Sequence, residues 1–333
     1  NYQKAMVLQP ESPEIPLEYG VHIHLKNKDW TKMREMFQKA IEIDPNKKVE
    51  ITSLFVPVLE AVNRFTEINW VEQYNFGAEK LRELDSINSI EKAEDFDKVK
   101  YLSEAITFFK NASLIDPTDS RAFSAISNCY LKLQDKKNAE KYVLDGVDNN
   151  PDDFNANMSA AEVLTICDYN YQDIIKFYKK AAQIEPSNSS ALRKLAATYY
   201  ELGDKENAIK VFKNAIENEQ DNKKKADLFF NLGVIHNQME NYENAEKAFD
   251  EAYYLNEEDY QAALGMAGAY EGLGDKYYFG SDGFTKDFEL AVRWYRKAEK
   301  KIKDVKSIDF ENEAEYQRQL ELIRYKRDIA EQN

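Results

Sequence analysis

The sequence predicts an all-α chain of stacked helix pairs, about seven of them, followed by a closing helix. Three observations predict it. Only 11 Gly and 8 Pro occur in 333 residues, too few for the turns that many short strands would need. Aromatic residues are plentiful, with 21 Tyr and 18 Phe, and a stack of short helices uses such residues to fill its seams. Third, segments with the same ending recur. YQKAMVLQP at 2–10, FQKAIEIDP at 37–45, FKNASLIDP at 109–117 and YKKAAQIEP at 178–186 each carry an aromatic, Ala three residues later and Pro five beyond that. This spacing puts the aromatic and Ala on one helical face, and Pro stops the helix. Pro117, Pro151 and Pro186 lie 34 and 35 residues apart, one helix–turn–helix unit per interval.

Taken in order, Asn1 to Pro10 reads as the last turns of a second helix whose partner would lie upstream. Units follow at 14–47, 69–119, 120–153, 155–188, 189–222, 226–259 and 260–305. Between the first two, 49–66 reads as an unpaired helix kinked at Pro57. In the unit 69–119, Phe76-Gly77 marks the first helix, and Ala105 with Phe109 marks the second. About 16 extra residues, roughly 85–100, are expected to lengthen the turn between them. Residues 192–215 carry Leu195, Ala196, Tyr199, Gly203, Ala208, Phe212 and Ala215. The stretch 229–252 repeats the scheme with Leu232-Gly233, Tyr242, Ala245, Phe249 and Ala252. Small residues let the two helices of a pair approach, and the large rings fill the space toward the next pair. Segment 308–331, with Phe310, Ala314, Leu320, Ile323 and Tyr325 among many charges, reads as an amphipathic cap with a polar outer face.

On these residues the sequence resembles the tetratricopeptide repeat (TPR) family over nearly its whole length. Residues 273–299 resemble the related Sel1-like repeat, through Leu273-Gly274, Tyr277, Gly280, Gly283, Asp287, Ala291, Trp294-Tyr295 and Lys297-Ala298. The resemblance implies a right-handed α-α superhelix whose first helices line a concave groove. It also implies a scaffold that binds a protein partner, a peptide or a helix. The ligand-facing positions of the family fall here on Arg121, Asn128, Lys132, Arg193, Tyr200, Glu201, Phe230, Asn231, Asn237 and Gln238, with Ser124, Ala197, Asp227 and Val234 between them. Co-chaperone members of the family grip a C-terminal carboxylate with Lys and Asn, then Asn, then Lys and Arg. Arg193 and Asn231 could match two of those places, but Ala197, Gln261 and Gly265 replace the others, so such a clamp is not expected.

No catalytic constellation is legible, and no cofactor or metal is expected. His22 and His24 are two apart, so on a helix they point in different directions, and His236 stands at the core Tyr position of the repeat signature. Cys129 and Cys167 are isolated, and no base is found near either thiol. Gly280 and Gly283 lack the preceding strand and the following Lys-Ser/Thr of a phosphate loop. Pairs such as Asp152-Asp153 and Glu257-Glu258 read as helix caps. A formal charge of −15 argues against nucleic acid, and no run of 18 apolar residues is present to span a membrane. The compartment stays open between cytoplasm and periplasm. Readings of a different class are self-association through the uncapped first end of the stack and service as the regulatory arm of a larger protein.

Overall fold

The computed structural model describes residues 2–51, 54–88, 95–257, 260–307, 309 and 312–333. Among them sixteen α-helices and one two-stranded hairpin are found. The chain divides into two compact units, Asn1–Ile184 and Glu185–Asn333.

In the first unit a short helix α1 (Tyr2–Leu8) precedes α2 (Glu14–Tyr19), which continues through a π-helical turn (Gly20–Leu25) toward α3 (Trp30–Ile43). Strands β1 (Lys48–Ile51) and β2 (Leu54–Pro57) pair antiparallel, with Val49 opposite Val56. Both valines are buried in a core shared with Leu17, Trp30 and Phe37. The helix expected at 49–66 is therefore a hairpin followed by a helix. The alternation of Val49, Glu50 and Ile51 has the period of a strand, with Val49 inward and Glu50 outward. Pro57 then closes the strand, and α4 (Val58–Asn88) begins immediately after it. The amides of Val58 and Leu59 donate to the carbonyls of Lys47 and Pro45, each at 2.9 Å, which pins the helix start to the preceding turn.

Helix α4 has 31 residues, about 46 Å of rise, and packs along α5 (Asp95–Ile115). The extra residues near 85–100 thus lengthen the helices themselves: 85–88 extend α4 and 95–100 open α5, while 89–94 lie outside the described residues. Tyr74 of α4 stacks on Trp70 at 4.7 Å and meets Phe109 of α5 at 5.1 Å. Two regular pairs complete the unit, α6 (Ser120–Lys132) with α7 (Lys136–Asn149) and α8 (Phe154–Ile166) with α9 (Tyr171–Ile184).

The second unit stacks α10 (Ser189–Glu201) with α11 (Lys205–Asn218), α12 (Asn222–Gln238) with α13 (Tyr242–Leu255), and α14 (Tyr260–Phe279) with α15 (Phe288–Lys306). Phe249 of α13 is its central wedge. A methyl group at Gly233 of α12 would come within 2.7 Å of that ring, and one at Gly265 of α14 within 2.5 Å. Two helices thus close on one aromatic from both sides, which only residues without a β-carbon permit. The stretch 280–287, inside the segment read as Sel1-like, folds on itself. Tyr277 meets Phe284 edge-on at 5.0 Å, and the Asp287 amide donates to the Tyr277 carbonyl at 2.9 Å. Helix α16 (Glu313–Glu331) packs on α15 through Tyr316, Leu320, Ile323 and Ala330. Its outer face is not wholly polar: Leu322 is 49% and Tyr325 65% exposed. Phe310 lies outside the described residues.

Asx caps start half of these helices. Asp29, Asp119, Asp135, Asp153, Asn188, Asp204, Asp221 and Asp287 each accept a hydrogen bond from a backbone amide in the first turn, an interaction contributing about 1 kcal/mol apiece. Asp153 caps α8; of the other acidic pair, Glu257 is exposed and Glu258 lies outside the described residues.

Candidate functional site: the faces of the first helices

The positions singled out in the sequence lie on the first helix of each pair, and the packing leaves part of that face uncovered. In α6 the residues Ala122, Phe123, Ile126 and Cys129 are buried, which leaves the opposite stripe of Arg121, Ser124, Asn128 and Lys132 uncovered. α6 also lies beside α8, the next first helix, and the hydroxyl of Ser124 hydrogen-bonds that of Ser159 at 2.9 Å.

Within the first unit this face forms a hollow of about 710 Å³. Tyr74, Ala78 and Leu81 of α4 and Phe109 of α5 make an apolar wall, while Arg121, Asn128 and Lys132 of α6 and Asn155 of α8 make a polar one. Arg121 is held in place: its Nε and Nη2 donate to Asp119, and its guanidinium lies 4.4 Å over the Trp70 ring. The hydrogen bond to Asp119 holds the guanidinium pKa above its ordinary value. The side chains of Asn128, Lys132 and Asn155 have no hydrogen-bond partner among the described residues. Cys129 lies at the base of the hollow, and burial pushes its thiol up to about 11, so it stays protonated at neutral pH.

The second unit has a smaller hollow of about 400 Å³. It gathers Arg193, Ala197, Tyr200 and Glu201 of α10 with Asn231 and Val234 of α12. Three positions singled out in the sequence lie elsewhere. Phe230 is half-buried, its ring 5.7 Å from that of Phe249, so it packs into the pair instead of lining the hollow. Gln238 accepts a hydrogen bond from the Tyr200 hydroxyl at 2.7 Å, tying α12 to α10. Asn237 is half-buried, and its Oδ1 has no partner.

The wall from α4 was not legible as part of the site. Its signal is present, since Tyr74, Ala78 and Leu81 stand at −3, +1 and +4 from Gly77, as Ser124, Asn128 and Leu131 stand from Ser127. Placing the extra residues in a turn hid the long helix that carries them.

The histidines are dispersed. His22 is exposed, whereas His24 is buried beside Tyr19, its Nδ1 3.8 Å from Asp29. His236 is buried, and desolvation, with a smaller contribution from Lys213, holds its pKa below the usual imidazole range. Among the described residues no group of three His, Cys, Asp or Glu could hold a metal ion, and no helix is long and apolar enough to cross a membrane.

Comparison with known proteins yields two family matches. Residues 19–47 and 120–153 match the tetratricopeptide repeat model, and residues 170–316 match the model described as 26S proteasome subunit RPN7. No curated protein matches the chain. Similar solved structures include that of MamA, at 17% identity and a TM-score of 0.46, covering 57% of this chain and 95% of that one. YrrB, described as a TPR protein with an unusual peptide-binding site, shares 19% identity at a TM-score of 0.44, over 61% of this chain and 95% of that one. PilF of Pseudomonas aeruginosa shares 11% identity at 0.47, over 71% and 92%. What these findings show of kinship is the repeat itself: the chain carries tetratricopeptide repeats, matched at 19–47 and 120–153.

Proposed function

We propose that this chain is a non-catalytic scaffold whose first-helix faces hold a segment of a partner protein, a peptide or a helix. The observation that carries the reading is the hollow of the first unit. It combines an apolar wall with amide and ammonium groups that the chain itself leaves without partners. An extended or helical segment supplies both kinds of complement, apolar side chains for Tyr74 and Leu81 and backbone carbonyls for Asn128, Asn155 and Lys132. In the second unit Arg193, Glu201 and Asn231 offer a further set of polar contacts.

The test uses the partner that co-purifies with the native protein. Asn128→Ala combined with Lys132→Glu is expected to weaken its capture by about tenfold or more, with the far-UV circular dichroism unchanged. Both side chains are exposed, so the fold does not depend on them. Capture at the original strength by the double variant places binding elsewhere. Phe230 is a poor probe, because its removal would loosen the packing on Phe249.

A second reading, a structural component that assembles with copies of itself, draws on the match to a proteasome-subunit family over 170–316. Light scattering separates the two readings. A scaffold for a foreign segment stays monomeric as concentration rises, and a self-assembling component does not.

A further inference from the structure

The second unit holds another cavity, of about 320 Å³, that shares no residue with its groove hollow. Three helices meet there. Tyr278 and Phe279 come from α14, Tyr295 from α15, and Tyr325 with Ile329 from α16. The walls are mostly aromatic rings, and two of the rings stand in water: Phe279 is 69% exposed and Tyr325 65%.

At one side of the cavity lies the carboxylate of Asp275. Its Oδ1 accepts from the Tyr295 hydroxyl at 2.7 Å, and its Oδ2 accepts from the Lys326 ammonium at 2.7 Å. The same ammonium donates to Glu271 at 2.6 Å. Two carboxylates therefore share one cation, and the cluster carries a net negative charge. Of the cations nearby, Lys276 is engaged with Asp282, and Lys286, whose ammonium stands 6.0 Å over the Tyr278 ring, lines a different hollow.

Ring faces attract cations through their quadrupole, and an incompletely neutralised carboxylate attracts them through its charge. A ligand that satisfies both must have a flat or slender cationic head on an apolar stem. Arginine fits better than lysine, because its planar guanidinium stacks on aromatic rings while its edge donates to a carboxylate. The chain's formal charge of −15 favours the approach of a basic partner. We propose that this aromatic socket receives an arginine side chain from a basic segment of a protein partner, with Tyr325 and Phe279 as its stacking faces and Asp275 as its acceptor.

The probe is a blocked Gly-Arg-Gly peptide, set against the same peptide with citrulline, which keeps the shape and loses the charge. Each is titrated into the full chain while the ring proton signals of Tyr and Phe are followed by nuclear magnetic resonance. The arginine peptide is expected to bind about tenfold tighter than the citrulline one, and to weaken as salt rises. Tyr325→Ala and Phe279→Ala should each weaken it severalfold; both rings are exposed, so neither change threatens the fold. Asn128→Ala with Lys132→Glu should leave it unchanged, which keeps this test separate from that of the groove. Equal binding of the two peptides, or no response to the arginine peptide, overturns the proposal.

Discussion

Within four helix pairs the turn places a residue other than glycine in the left-handed region just where the second helix is about to start. Lys28, Gln134, Asp168 and Glu240 have φ of 56°, 60°, 65° and 54°. In the pair α10–α11 the same corner is taken by Gly203, at 77°. A side chain strains this conformation by roughly 1–2 kcal/mol, while glycine adopts it freely but loses more freedom on folding. The local strain is the larger of the two, so Gln134→Gly and Glu240→Gly are each expected to raise stability by about 0.5–1 kcal/mol in chemical denaturation. The reverse change, Gly203→Ala, should lower it by a similar amount, since nothing stands within 4 Å of the site to add a packing effect. At His236 the relevant variable is pH. Burial holds its folded-state pKa below the value of 6.5 that it takes when unfolded, so the imidazole is neutral in the stack. Its contribution is present above pH 6.5 and is lost as pH falls through the folded-state value, because the unfolded chain takes up the proton more readily. His236→Tyr, which restores the residue of the repeat signature, is expected to flatten the loss of stability on acidification below pH 6.5 in melting curves.

Among the elements, those that obey the repeat's period were readable and those that depart from it were not. Helices α6 to α13 start within a few residues of where the recurring Ala and Pro positions put them, because each buries its own apolar stripe and most carry an Asx cap of their own. Residues 48–88 broke the reading for a physical reason. Val49 and Val56 are β-branched residues that a strand buries as readily as a helix, and a single Pro can kink a helix or end a strand. The choice is made by tertiary packing: the hairpin closes over Leu17, Trp30 and Phe37, partners distant in sequence. Of the candidate site, the positions on α6 and α10 were supplied by the resemblance to the repeat family, whose ligand-facing places fall on Arg121, Asn128, Lys132, Arg193, Tyr200 and Glu201. The aromatic and aliphatic wall from α4 could not be read, because Tyr74 and Leu81 look like core until the structure shows one of their sides to be open. The same holds for Phe230, whose packing on Phe249 is invisible in the spacing alone.

For the molecule as a whole, 60 acidic residues face 45 basic ones. Several of the ion pairs lie on exposed helix faces, as in Arg64–Glu60 and Arg293–Glu289, and such pairs contribute little each. The excess of negative charge is the larger electrostatic effect, and it opposes compaction. Raising salt from about 0.01 to 0.2 M should therefore raise the melting temperature by a few degrees, whereas a fold resting on its surface ion pairs would melt earlier as they are screened. Phe249 carries the remaining consequence. Because Gly233 and Gly265 close on the same ring from α12 and α14, that side chain is shared property of two successive repeats, and neither can loosen without disturbing the other. A repeat array otherwise joined by nearest-neighbour contacts can fray from its ends one unit at a time. A ring wedged across a seam turns two such steps into one, so Phe249 ties the loosening of these two repeats together.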